Sequence, residues 1–228
     1  MQEQRKPGFK DAVRDQSSLL APLEKRTLIW LAHRMPVWVN SDHLTLLGFV
    51  SLSAAGLCYA AARWDRRWLL AVIPLLALNW FGDSLDGTLA RVRNKQRPRY
   101  GFYVDHITDA FGTSILIGGL AASTFMNPYI ALVLLILYLL LSIQTYLATY
   151  VFGTFHLSFG KFSPTELRIV LCIGSIALMV RPWVKLFGYG PWRLYDIGGL
   201  VAIVIMAVML VAASLKNVVR LYHEEPLS

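Results

Sequence analysis

The chain has 228 residues, of which 56% are apolar and 16% charged, with 22 Lys and Arg against 14 Asp and Glu. Apolar windows of about 20 residues recur along most of its length, which excludes an ordinary soluble domain and fits bilayer spans. The net charge of +8 is not gathered on a soluble domain. It therefore points to Lys and Arg retained at the cytoplasmic side of a membrane rather than to a nucleic-acid partner.

In chain order, the first residues are polar, with no short apolar run leading to a small-residue cleavage site, so the N-terminal segment is expected to be retained. Residues 17–35 interleave Leu19, Leu20, Leu23, Leu28, Ile29 and Leu31 with Glu24, Lys25, Arg26, His33 and Arg34. The segment is too charged to span and reads as an amphipathic helix lying in the interface, with Trp30 near the headgroups. Pro36 limits it. The pattern thus divides residues 1–40, a cytoplasmic segment with an interfacial helix, from residues 41–228, a membrane domain. The predicted architecture is all-α with six transmembrane helices, over residues 43–62, 68–91, 101–125, 129–152, 164–180 and 194–221. Asn40, Ser41 or Asp42 can cap the first. Residues 153–163 and the Gly/Pro-rich stretch 182–192 read as loops. Cys58 and Cys172 sit in apolar runs and read as packed, reduced thiols.

Six spans place both ends of the chain on one side. On that side fall 16 of the 22 Lys and Arg, against Arg63, Arg66, Arg67, Arg181, Lys185 and Arg193 on the other. The bias predicts both termini in the cytoplasm, in the inner membrane if the source is prokaryotic.

The second and third spans carry an anomaly. Asp83 and Asp86 lie near the end of one, Asp105 and Asp109 near the start of the next. Spacings of three and four put each pair on one helical face. Acids at membrane depth are costly and are functional candidates by default. Four converging carboxylates need neutralising by protons, arginines or metal ions. An all-oxygen set suits Mg²⁺, Mn²⁺ or Ca²⁺, and paired divalent ions are the usual arrangement for phosphate chemistry. Gly87, Ala90 and Gly101 remove side-chain bulk beside the acids. They open a pocket for a ligand, or they pack helices closely as small residues do in membranes. Arg91 either holds a phosphate or snorkels at a helix end. An ion or proton transporter is the competing class, but it predicts acids near the midplane and broken helices.

The string Asp83, Asp86, Gly87, Ala90, Arg91, nine further residues, then Gly101, Asp105 and Asp109 resembles the signature of the CDP-alcohol phosphotransferase family. The resemblance implies an enzyme of phospholipid biosynthesis that takes a CDP-linked donor and an alcohol acceptor, forms a phosphodiester and releases CMP. It implies that Asp83, Asp86, Asp105 and Asp109 hold two divalent cations, Mg²⁺ or Mn²⁺. Asp109 is also implied as the base for the acceptor hydroxyl. Gly87, Ala90, Arg91 and Gly101 would line the CDP site, in a homodimer embedded among membrane lipids. Two branches differ in substrates. Asp105-His106 and Pro164-Thr165-Glu166 resemble the choline and ethanolamine branch, with His106 and Glu166 helping to activate a diacylglycerol-type hydroxyl, and the reading leans that way. The alternative is a CDP-diacylglycerol donor with a soluble alcohol such as inositol phosphate, glycerol phosphate or serine. Arg168 and the neighbouring basic loop would then hold a phosphorylated acceptor. A local Glu166–Arg168 ion pair and simple packing of His106 are the structural readings of the same residues. His156, Gln144 and Tyr146 lie near the site without an assigned role.

Overall fold

The computed structural model describes residues 21–152, 164–186 and 188–225. It contains seven helices and one hairpin: α1 (Ala21–Arg34), α2 (Ser41–Ala61), α3 (Trp68–Val92), α4 (Pro98–Ala122), α5 (Pro128–Phe152), α6 (Pro164–Val180), β1 (Trp183–Leu186), β2 (Tyr189–Arg193) and α7 (Leu194–Glu224). The six long helices of the sequence reading are present in order. Four of them, α2, α3, α5 and α7, are long and apolar enough to cross a membrane. The other two of the expected six spans, α4 and α6, are not among these four. The reason is local: α6 has only 17 residues, and α4 opens with Arg99, Asp105 and Asp109. Residues 1–20, and the predicted loop 153–163 with His156 and Lys161, lie outside the described residues.

The cap of α2 settles on Asn40. Its Oδ1 accepts from the His43 backbone N at 3.0 Å, while His43 Nδ1 accepts from the Asn40 N at 3.3 Å. This reciprocal pair satisfies donors that the first helical turn leaves open. At the far end of α3, Asn94 adopts a left-handed φ of 53° and the Lys95 N bonds back to the Ala90 carbonyl at 2.9 Å, which stops the helix. Arg93 reaches across to the α1–α2 connection and donates to the carbonyls of Met35 and Pro36, each at 2.9 Å, and to that of Val39. Arg97 pairs with Asp42. The basic α3–α4 loop is thereby tied to the start of α2.

Helix α2 is the centre of the molecule. It crosses α3 where Gly82 meets Gly48: a Cβ on Gly82 would lie 2.5 Å from the Leu44 carbonyl oxygen. It crosses α4 where a Cβ on Gly119 would lie 1.9 Å from the Gly56 oxygen. Only glycine permits such backbone contact. Around these crossings Leu52, Ala55, Tyr59, Leu69, Leu76 and Leu116 form the main core, which Leu178 and Tyr195 of α6 and α7 join. A second cluster of Leu28, Ala32, Leu44, Leu85 and Leu89 seats α1 against α2 and α3.

The stretch 182–192 departs from the predicted loop. It forms an antiparallel hairpin that pairs Val184 with Trp192 and Trp183 with Arg193. Gly188, at φ 83°, supplies the turn. The Gly and Pro residues that signalled a loop are the turn chemistry of the hairpin, and the aromatic and β-branched residues between them supply its strands.

Candidate metal centre

The acids come from two helices, Asp83 and Asp86 from the second half of α3 and Asp105 and Asp109 from the first half of α4, and the α3–α4 loop reverses the chain between them. One carboxylate oxygen each from Asp83, Asp105 and Asp109 lies within 4.8 Å of the other two, all three residues being half-buried. Three oxygens at this separation fit a hard divalent cation.

Asp86 stands outside this trio. One turn of helix takes 3.6 residues, about 100° each. Residues four apart are thus about 40° out of line, and residues three apart about 60° in the opposite sense. Asp105 and Asp109 therefore converge with Asp83, while Asp86 leans toward α2. Its Oδ2 accepts from Thr45 Oγ1 at 2.6 Å, and Ser41 Oγ donates to its backbone oxygen at 2.9 Å. The Gly87 backbone N donates to Oδ1.

A basic group faces the trio from the other side. Arg168, in the second turn of α6, contacts Asp83 Oδ2 through its terminal nitrogen at 2.5 Å and Asn79 Oδ1 through Nε at 2.7 Å. Asn79 in turn donates to the Gly48 carbonyl at 3.0 Å. Asn79 is buried and sits one turn before Asp83 on the same face. A narrow cleft opens here, lined by Thr45, Gly48, Asn79, Asp83, Thr108 and Asp109. Sequence reasoning gave Asn79 and Thr45 no role. The signal was present in both, as an isolated polar side chain within an apolar run at helical spacing from an acid or a glycine.

The glycines of the motif behave differently from those at the crossings. A Cβ on Gly87 would meet only the Arg91 guanidinium, at 3.5 Å, and a Cβ on Gly101 would meet nothing within 4 Å. Neither is required by packing, so the space beside them is available to a ligand. Arg91 folds back along α3, its NH2 donating to Thr88 Oγ1 at 3.0 Å, with its head over Gly87. Ala90, half-buried, lies on the same stretch.

His106 points away from Asp105, as the next residue on a helix must. Its ring lies 4.1 Å from that of Phe102 and 5.0 Å from that of Tyr146 on α5, with Nδ1 2.6 Å from the Phe102 carbonyl oxygen. An Nδ1–H tautomer donates there. Glu166 lies in the first turn of α6, half-buried, two residues before Arg168.

Residues 38–219 match the model of the CDP-alcohol phosphatidyltransferase family. The chain is 28% identical over 163 residues to archaetidylinositol phosphate synthase of Methanothermobacter thermautotrophicus, covering 71% of this chain and 78% of the relative. Its fold is similar to the crystal structure of Mycobacterium tuberculosis phosphatidylinositol phosphate synthase with CDP-DAG bound. The TM-score is 0.55 at 21% identity, covering 86% of this chain and 92% of that one. The family match sets aside the ion-transport reading. The chain belongs to the CDP-alcohol phosphatidyltransferase family, membrane enzymes of phospholipid biosynthesis that transfer substituted phosphate groups.

Proposed function

We propose that this enzyme moves the phosphatidyl-type group of a CDP-linked glycerolipid onto a hydroxyl of a phosphorylated polyol of the inositol phosphate kind, releasing CMP. The observation that carries this reading is Arg168. A guanidinium 2.5 Å from Asp83, at the edge of the acid cleft, is suited to a phosphate on the acceptor. A diacylglycerol acceptor has no such group. The relatives named above are inositol phosphate lipid synthases, and the solved one carries CDP-DAG, which supports the same donor class here. The lean of the sequence toward a choline or ethanolamine donor is therefore given up. It rested on His106 and Glu166, and His106 is engaged by Phe102 and Tyr146.

In this reading Asp83, Asp105 and Asp109 hold one divalent cation, and Asp86 helps to hold a second from its place beside Thr45. The cations, Mg²⁺ or Mn²⁺, would supply Lewis-acid neutralisation of the diphosphate and of the departing CMP. Gly87, Ala90 and Gly101 leave room for the CDP moiety, and Arg91 contacts its phosphates. Arg168 orients the acceptor through its phosphate. Asp109 takes the proton of the attacking hydroxyl on a carboxylate oxygen as the new oxygen–phosphorus bond forms. The bond from that phosphorus to CMP breaks as it does. Residues 41–228 form the catalytic unit with six spans, residues 1–40 lie at the interface, and the cleft faces the cytoplasm. The working unit is a homodimer.

The test is direct. Purified protein receives Mg²⁺ with CDP-diacylglycerol and inositol phosphate, or with CDP-choline or CDP-ethanolamine and diacylglycerol. A phosphatidylinositol phosphate product supports the reading, and a phosphatidylcholine or phosphatidylethanolamine product overturns it.

A further inference from the structure

Helix α1 carries a carboxylate in an unexpected place. Glu24, Leu28 and Ala32 follow one another at intervals of four and form a single stripe. Leu28 and Ala32 are buried against α3, so Glu24 lies on the inward face of a helix whose other charges point outward. A half-buried acid on that face calls for donors. Glu24 Oε1 receives three: Trp80 Nε1 at 2.8 Å, Thr165 Oγ1 at 2.8 Å and Ser84 Oγ at 3.4 Å. Trp80 and Ser84 are one turn apart on α3, and Ser84 adjoins Asp83. Thr165 is on α6, one turn before Arg168. One oxygen thus joins the interfacial helix, the helix bearing the first acids and the helix bearing the acceptor arginine.

A second link between α3 and α6 in this region is Arg168 itself, held on Asp83 and Asn79. That link cannot persist unchanged during turnover. A guanidinium that engages an acceptor phosphate must share or surrender its bond to Asp83. At that moment a contact outside the cleft has to keep the start of α6 in place. We infer that Glu24 is a positioning residue for the acceptor: it fixes the first turn of α6 against α3, so that Arg168 stays within reach of the acceptor phosphate when it leaves Asp83. This inference rests on the acceptor reading given above. The hydrogen bonds of Glu24 go to Trp80, Ser84 and Thr165 rather than to the trio, so its effect is expected to fall on the acceptor and to spare the donor and the cation.

The experiment uses the full chain in lipid nanodiscs, with CDP-diacylglycerol and inositol phosphate as substrates, and compares Glu24→Ala, Glu24→Gln, Thr165→Val and Arg168→Gln. Glu24→Ala is expected to raise the KM for inositol phosphate about tenfold, the equivalent of a lost hydrogen bond to a charged group. The KM for CDP-diacylglycerol and the Mn²⁺ affinity should stay within about twofold. Glu24→Gln should restore most of the loss, because the donors are neutral and an amide oxygen accepts from them. Thr165→Val removes one of the three donors, should raise the same KM by a smaller factor, and decides the matter if Glu24→Ala does not fold. Equal losses for donor and acceptor, or an unchanged acceptor KM in Glu24→Ala and Thr165→Val, would overturn the inference. If Arg168→Gln alone raises the acceptor KM, the clamp fails and the acceptor reading stands. If Glu24→Ala raises it and Arg168→Gln does not, Arg168 loses its role, and the clamp that acts through it is overturned together with the acceptor reading.

Discussion

The two ends of the helical set, α2–α3–α4 and α5–α7, are both apolar yet are built on opposite rules. In α2, 44% of the spanning window is buried, against 6% in α7. Helix α7 is the more apolar of the two, and it is the more exposed. A soluble protein would show the reverse. Lipid removes the hydrophobic drive between helices, so close contact follows small residues and polar bonds, while bulky aliphatics face outward. Gly48, Gly56, Gly82 and Gly119 bring three backbones together. Val201, Val204, Ile205 and Val208 leave α7 facing outward. The acids are held on the first set. The difference teaches that this site stands on a unit fixed by backbone contact, while the rest of the bundle offers lipid-compatible surface around it.

The contrast can be broken in graded steps. The largest effect is expected at the trio. Asp83→Asn, Asp105→Asn or Asp109→Asn should each lower CMP release by more than about 10²-fold, beyond the loss typical of residues that merely support metal ligands. Each variant should still insert and show weakened Mn²⁺ binding by spin resonance. Full turnover in all three would remove the metal assignment. Next comes Gly119→Ala. Its methyl would overlap the Gly56 carbonyl, 1.9 Å away, and overpacking of this kind costs about 1–3 kcal/mol. Thermal unfolding in detergent should register it, and an unchanged Tm would contradict the close crossing. Gly87→Ala should leave Tm unchanged, because its methyl has ordinary contact distances, but should raise the KM for the CDP donor. A loss of stability there would make Gly87 a packing residue. The smallest effect is expected at Val204→Ala, within about 0.5 kcal/mol, since an outward position loses little.

The sequence made the helices legible because apolar length and flanking Pro, Gly and Asn mark spans strongly. Residues 68–91 and 164–180 are read within a residue of α3 and α6. The hairpin at Trp183–Arg193 was not legible, because its Gly and Pro residues are also loop signals and two short strands carry too few alternations to count. At the site, the spacing of Asp105 and Asp109 shows their convergence, whereas the separate position of Asp86 depends on Thr45, which lies 41 residues earlier. The structural weight of α2 was hidden for a similar reason. Gly48 and Gly56 acquire meaning only against Gly82 and Gly119 on other helices. Glu24 read as one more charge of an interfacial helix until Trp80 and Thr165 were placed beside it.

The central claim is that the Asp83–Asp105–Asp109 centre, facing Arg168, serves a CDP-lipid donor and a phosphorylated acceptor. The most direct measurement is mass spectrometry of the lipid formed by purified protein given Mg²⁺, CDP-diacylglycerol and an equimolar mixture of inositol phosphate and inositol. The account predicts a phosphatidylinositol phosphate product, stoichiometric CMP, and loss of both when Arg168 is replaced by Gln. Incorporation of unphosphorylated inositol in preference, or product formation undiminished by Arg168→Gln, would contradict it.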